Sequence, residues 1–391
     1  MSATPDPLRR DPGYLGLTAP AETLPAAYYF DAAQYLRELA QVWYRNWIYI
    51  CRSSDVAEPR GFRMLEIGDQ SVLVVRGEDR VLRAFHNTCR HRGSALCRSA
   101  AGRFPAAGIV CPYHAWRYNL RGELQQTSSR QAGEGFDLRN YPLYGLPVSE
   151  WRGFVFAALT PDPPPLAANI DVPLQTLDNW ELDRLVVGHR MSKTIECNWK
   201  IFWENYNECL HCPGVHPRLS QLVPIFGRAL LERRDDPDWR DHAADENPRY
   251  AGGLRPGAES WTSDGKPVGV PFPNLTAEER KAGHIYLTSL PSMFLAAHVD
   301  YVRVVRLLPL GPERTAMSIE FLFLPETLAD PAQDLSRAIE FTDLVMSEDA
   351  AVCEVNQRGL RALPHKAGVL MPEEYVVRQF HDWVRAQLSR P

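Results

Sequence analysis

The sequence predicts an α+β protein in which a small, hairpin-rich β unit precedes a larger unit of antiparallel sheet and helices. Three observations predict this. Between residues 62 and 86, short strand-like runs are separated by Gly68-Asp69 and by Gly77-Glu78-Asp79, which is the spacing of strands joined by tight turns. The proline-dense stretch Thr160-Pro161-Asp162-Pro163-Pro164-Pro165 then marks a boundary. Beyond it, strand-like segments at 286–295, 301–308 and 315–324 give way to helix-like segments at 331–360 and 373–388, with no βαβ alternation.

In order along the chain, residues 1–30 are rich in proline and alanine and are expected to wrap a surface. Over 31–46 the apolar positions Tyr35, Leu36, Leu39, Val42 and Trp43 follow a helical period, with Asp31 as the expected N-cap. Strands are expected at 62–67, 70–76 and 81–86, and the β unit should close near Phe154-Val155-Phe156. In the larger unit 198–210 reads as helix, and the polar, Gly/Pro-rich 228–273 reads as a long loop region. The resulting division is an N-terminal segment at 1–41, a β unit at 42–160 and a second unit at 161–391.

With 391 residues and 45% hydrophobic composition, the chain can bury two sizeable cores. A net charge of −5 without a basic block argues against nucleic acid as a partner. No apolar run is long enough to span a bilayer, and the N-terminus shows no apolar export core, so a cytoplasmic protein is expected. Six of the eight cysteines (Cys51, Cys97, Cys197, Cys209, Cys212 and Cys353) have no disulfide-framework spacing.

The other two cysteines belong to a chemical motif. Cys89-Arg90-His91 and Cys111-Pro112-Tyr113-His114 are separated by nineteen residues. Two thiolates and two imidazoles on paired loops suit a [2Fe–2S] cluster with the cysteines on one iron and the histidines on the other. Replacing thiolates by imidazoles raises the potential of such a cluster above that of an all-cysteine one. The alternative is a structural zinc site, although zinc fingers group cysteines with cysteines and histidines with histidines.

A second constellation, Glu208, His211 and His216, reads E-x-x-H-x4-H. On a helix, residues three apart share a face, which would bring Glu208 and His211 together. His216 lies about 140° off that face, so the chain must bend, and Pro213-Gly214 is the expected place. Two histidines and one carboxylate make a facial triad with open positions on Fe(II). The third ligand must come from elsewhere. Asp343, Glu348, Asp349 and Glu354 all lie near the sequence Val345-Met346-Ser347, and their spacing does not choose among them.

Together, His86-Asn87-Thr88-Cys89-Arg90-His91-Arg92-Gly93, Cys111 to Trp116 and the run from Asn198 to His216 resemble the catalytic α subunit of Rieske non-heme iron oxygenases. The resemblance runs from about Val42 to the C-terminus. It implies a Rieske [2Fe–2S] domain followed by a catalytic domain of helix-grip, START-like type. It assigns Cys89, His91, Cys111 and His114 to the cluster, and His211, His216 and Asp349 to a mononuclear iron. Glu208 becomes a bridge that accepts from His211 and from His114 of a neighbouring subunit, which implies a homotrimer. O2 is the co-substrate, and NAD(P)H electrons arrive through a separate flavin/iron–sulfur reductase, since no G-x-G-x-x-G fingerprint occurs here.

Ring-hydroxylating dioxygenases usually carry Asp where this chain has Glu208. The Glu form resembles the choline, glycine-betaine and carnitine monooxygenase group, which makes an N-methyl quaternary ammonium compound the expected small-molecule substrate. The alternative substrate is a small aromatic acid, and the alternatives of another class are a Rieske electron carrier or a zinc-stabilised binding module. Trp203, Tyr206, Trp261, Tyr286 and Phe294 are candidates for an aromatic cage around a cation. Tyr113 is the candidate hydrogen-bond partner of a cluster sulfur. Cys209 and Cys212 are expected only to pack, and His189, His242, His284, His298, His365 and His381 to serve structure or surface.

Overall fold

The computed structural model describes residues 10–131 and 133–390, so the first nine residues of the N-terminal segment lie outside the described residues. The segment that follows pairs Ala21–Glu22 with Val369–Leu370 and then forms the helix Ala32–Glu38, whose N-cap Asp31 accepts from the Gln34 amide as the sequence predicts. The coil widens to a π-helix over Leu39–Trp43, and Leu39, Val42 and Trp43 go into the core.

The first unit is antiparallel throughout. Its main sheet has the order Gly145–Leu146, Leu82–His86, Gln70–Arg76, Gly61–Ile67 and Ala101–Arg103. A three-stranded sheet of Gly108–Val110, Arg117–Asn119 and Leu124–Gln126 carries the second cysteine–histidine loop. A further sheet pairs Phe154–Ala157 with both Val148–Trp151 and Ile48–Arg52. Its residues Tyr49, Phe154 and Phe156, with Trp47 just ahead of the strand, share one apolar core with Met293, Leu295, Val302 and Val304 of the second unit.

The second unit is a five-stranded antiparallel sheet in the order Val186–Ile195, Arg314–Phe323, Val302–Gly311, Met293–His298 and His284–Ser289. The expected single strand at 286–295 is in fact two, folded back at 290–292, because Leu290-Pro291 breaks the ladder. The strand Val186–Ile195 was not expected. Its burial alternates, as on an edge strand with one wet face. Residues 228–273 hold short helical turns and no strand.

The helices Trp199–Tyr206, Ser336–Gly359 and Tyr375–Leu388 pack together, the first two also against the sheet. In Ser336–Gly359 the buried positions Ala338, Phe341, Thr342, Val345, Met346, Asp349 and Cys353 recur at three- and four-residue steps. An aspartate therefore sits on an otherwise mostly apolar stripe.

The helix Trp199–Tyr206 is locked to the N-terminal segment by charge. Lys200 Nζ donates at 2.7 Å to both oxygens of Glu38, and also to the Tyr28 carbonyl and Asn198 Oδ1. Both side chains are fully buried. Nearby, Glu204 accepts from Tyr29 Oη at 2.5 Å and from His381 Nε2 at 2.8 Å, which joins three distant segments. Removing one member of a buried pair strands the other charge in the core. We expect Glu38→Ala to cost about 3–5 kcal/mol in urea unfolding, far more than an exposed pair would.

Candidate functional site

The two cysteine–histidine loops are built alike. The Cys89 amide donates to the Ser94 carbonyl, and the Gly93 amide donates back to the Cys89 carbonyl. Cys111, Trp116 and Ala115 repeat the pattern. Each loop turns on a left-handed residue, Gly93 at φ +74° and Ala115 at φ +56°. The alanine bears a cost of about 1 kcal/mol there, which the surrounding ladder must outweigh. The result brings thiol to thiol and imidazole to imidazole. Cys89 and Cys111 are buried and in side-chain contact, and His91 Nδ1 lies 3.1 Å from His114 Nδ1 near the surface. Burial opposes ionisation of Cys111, but the Tyr113 and His114 amides point at its sulfur and hold the thiol below its ordinary value.

Among the described residues, only His211, His216 and Asp349 bring three such ligand atoms within 4.8 Å of one another. The four loop residues do not converge on a single point, as one tetrahedral zinc would require. They form two pairs instead, which suits a two-iron cluster. Tyr113 is 59% exposed with its ring against His114, so it cannot be the buried sulfur partner. Tyr118 fills that place. Its hydroxyl is 3.2 Å from Cys89 Sγ and accepts from the Arg90 amide. The sequence signal was the strand position four residues beyond His114, which turns Tyr118 inward while Tyr113 stays on the loop tip.

The second constellation departs from expectation in its backbone and keeps its convergence. The helix stops at Tyr206, short of the expected Leu210, so Glu208 and His211 do not share a helical face. A tight turn joins them. Glu208 accepts from the Leu210 amide, and its Oε1 lies 2.5 Å from His211 Nδ1. Nor does the chain bend at Pro213-Gly214, which lies inside the helical turn Cys212–Val215 with proline at its start. The bend is His216 itself, at φ −117° and ψ 66°, because Pro217 disfavours helix in the residue before it. Cys209 and Cys212, expected only to pack, are joined as a disulfide beside His211.

Both imidazoles are held the same way. His211 Nδ1 faces Glu208, and His216 Nδ1 faces Glu348 Oε2 at 2.7 Å. Both Nε2 atoms turn toward Asp349 Oδ1, at 3.5 Å from His211 and 2.8 Å from His216. A proton on each Nδ1 leaves each Nε2 lone pair free for a metal. Asp343 pairs instead with Lys193, and Glu354 accepts from the Glu196 amide, so neither joins the cluster. Glu348 is a member that sequence reasoning did not assign.

Three carboxylates around two imidazoles leave an excess of negative charge. Burial opposes protonation of His211, but Asp349 and Glu208 outweigh it and lift its pKa to about 9. Burial opposes ionisation of Asp349, and the two histidines reverse that and keep the carboxyl below its usual range. A site that gathers protons in this way fits a divalent cation, and two imidazoles with one carboxylate are the ligand set of non-heme Fe(II).

A cavity of about 460 Å³ opens onto these three residues, lined also by Tyr206, Trp261, His284, Tyr286 and Arg303. Tyr206, Trp261 and Tyr286 thus stand where the expected aromatic cage requires. Trp203 and Phe294 do not line the cavity and are core, and Trp203 Nε1 donates to the Pro291 carbonyl. His284, expected to be structural, does line it. A second cavity of about 360 Å³ also reaches His211 and Glu208.

Comparison with known proteins agrees with this architecture. Residues 46–142 match the family pattern of the Rieske [2Fe-2S] domain, and residues 182–390 that of the ring hydroxylating alpha subunit (catalytic domain). The chain is 29% identical to the glycine betaine monooxygenase oxygenase subunit of Chromohalobacter salexigens, over 97% of this chain and 87% of the relative. It is 27% identical to the carnitine monooxygenase oxygenase subunit of Escherichia coli K12, over 93% and 92%. The crystal structure of the quaternary ammonium Rieske monooxygenase CntA with L-carnitine shares the fold, with a TM-score of 0.71 at 22% identity over 94% of this chain and 96% of that one. With more than half its length matching the catalytic-domain pattern and a cluster domain ahead of it, this chain belongs to the ring hydroxylating alpha subunit family and is the oxygenase component of a Rieske non-heme iron system.

Proposed function

We propose that this oxygenase acts on an N-methylated quaternary ammonium compound and releases a methyl group as formaldehyde. The observation that carries the reading is the joining of Tyr206, Trp261 and Tyr286 to His211, His216 and Asp349 in one cavity. Aromatic faces attract a cation that cannot donate hydrogen bonds. Relatives named for glycine betaine and carnitine support the same class.

In this reading Cys89, His91, Cys111 and His114 hold the [2Fe–2S] cluster, and His211, His216 and Asp349 hold Fe(II). When bound, the cluster stores an electron and the ferrous ion activates O2. The chain's own residues do the rest. Glu208 and Glu348 fix the two imidazoles through Nδ1, which sets their tautomer and their aim. Glu208 also faces the second cavity, where His114 of a neighbouring subunit completes the electron path in a homotrimer. The division at 1–41, 42–160 and 161–391, a flavin/iron–sulfur reductase partner and a cytoplasmic location complete the proposal. Among the described residues, no helix is long and apolar enough to cross a membrane.

The test is an NADH- and reductase-dependent assay that scores formaldehyde against hydroxylated arene. Formaldehyde in step with NADH oxidation is expected for a trimethylammonium substrate. Hydroxylated benzoate without formaldehyde would overturn the substrate class. A second expectation concerns the cluster. Tyr118→Phe removes a hydrogen bond to Cys89 sulfur and should lower the midpoint potential by about 40 mV, the one-electron equivalent of roughly 1 kcal/mol. Protein-film voltammetry reads this directly, and an unchanged potential would exclude the contact.

A further inference from the structure

One charge in the substrate cavity has no counterpart among the described residues. Among the described residues Arg303 is the one Lys or Arg lining it, is 4% exposed, and has a buried Nε without a hydrogen-bond partner. Among the described residues no carboxylate pairs with its guanidinium. The carboxylates that share the cavity are engaged elsewhere. Asp171 accepts from the Thr288 amide, Glu232 pairs with Arg234, and Glu208 and Asp349 face the histidines.

A buried, unpaired guanidinium is costly, and proteins keep one where something else completes it. The sheet places it deliberately. Tyr286, Ala296 and Arg303 form one cross-strand row, and the alanine methyl between them leaves room over the sheet. Tyr286 lies within electrostatic reach of both Arg303 and Asp349. The adjoining His284 and His298 are kept neutral, first by burial and also by Arg303, so the guanidinium is the fixed positive charge of this wall.

We propose that Arg303 is a specificity-determining residue that binds a substrate carboxylate, so the substrate is a zwitterion with a carboxylate as well as an N-methylated ammonium group. The ammonium half rests on the function proposed above, and the carboxylate half stands on Arg303 alone. The planar fork of arginine matches a carboxylate through two parallel N–H donors. A simple cationic alcohol would meet repulsion from the same group and gain nothing for it.

The test uses the holoprotein under anaerobic conditions, with binding read by titration calorimetry and turnover by formaldehyde. The probes are glycine betaine, choline (an alcohol in place of the carboxylate) and benzoate. Wild type should bind glycine betaine at least about tenfold more tightly than choline. Arg303→Gln should weaken glycine betaine about 10- to 100-fold while choline, relieved of the repulsion, binds no more weakly than to wild type, and Arg303→Lys should recover part of the glycine betaine loss. Equal binding of glycine betaine and choline by wild type would overturn the proposal even if Arg303→Gln does not fold. So would an Arg303→Gln variant with undiminished affinity for glycine betaine. Formaldehyde release would in either case leave the N-methyl reading standing. Conversely, Arg303-dependent binding of benzoate with neither ammonium compound bound would support the carboxylate anchor and sink the N-methyl substrate.

Discussion

Replacing His211 by alanine is expected to strip the protein of its mononuclear iron and leave the cluster intact. His211 supplies one of only three ligand atoms in the triad, and its Nε2 faces Asp349 from the cavity side. Without it, His216 and Asp349 remain as a two-ligand site around an excess of carboxylate. A metal centre contributes several kcal/mol to the reaction it serves, and each 1.4 kcal/mol is about a factor of ten. Turnover should therefore fall at least about a thousandfold. The visible spectrum of the cluster should not change, because Cys89, His91, Cys111 and His114 sit on loops of a separate sheet system. Iron analysis together with the absorbance spectrum checks both halves. Retained mononuclear iron with normal turnover would remove His211 from the ligand set.

Glu208→Gln is expected to give a different failure. The amide keeps the shape of the side chain and can still accept from the Leu210 amide. It loses the carboxylate that faces His211 Nδ1 at 2.5 Å. Both metals should remain bound, since Glu208 touches His211 through the nitrogen that does not face Asp349. Partners of metal-bound histidines change activity by about 10- to 100-fold. The bridging role proposed for Glu208 would take the effect to the upper end of that range or beyond it. The distinguishing readout is a single turnover of fully reduced, substrate-loaded protein. The cluster should reoxidise at least about a hundredfold more slowly than in wild type, with iron content unchanged. Loss of iron would make Glu208 a structural support of the site, and reoxidation at the wild-type rate would end the bridging role.

Much of this was legible in the sequence, for physical reasons. Short-range patterns fixed by covalent geometry read well. Hairpins at Gly68-Asp69 and after Arg76 fell where turn residues stood, and Asp31 capped its helix. Metal-ligand residue types at unusual spacings pointed to both centres before any fold was known. What failed was local backbone detail, where proline acts on its neighbour. Pro217 bends the chain at His216, whereas Pro213 merely opens a helical turn.

Asp349 was undecided on the spacing of the carboxylates alone. The signal that separates it is the apolar stripe from Ala338 to Cys353, on which Asp349 falls and Asp343, Glu348 and Glu354 do not. Tyr118 and Arg303 were invisible for a different reason. Their roles depend on contacts made across the fold, Tyr118 with Cys89 and Arg303 with a cavity shared by distant strands.

The central claim is that one polypeptide carries both a two-iron cluster and a single ferrous ion, each on its own ligand set. Metal and sulfide analysis of anaerobically purified protein, combined with EPR after reduction, addresses it most directly. The account predicts about three irons and two sulfides per chain and a reduced-cluster signal below the free-electron g value on average, with one iron lost in His211→Ala. Colourless protein holding only zinc at the cysteine–histidine loops would contradict it.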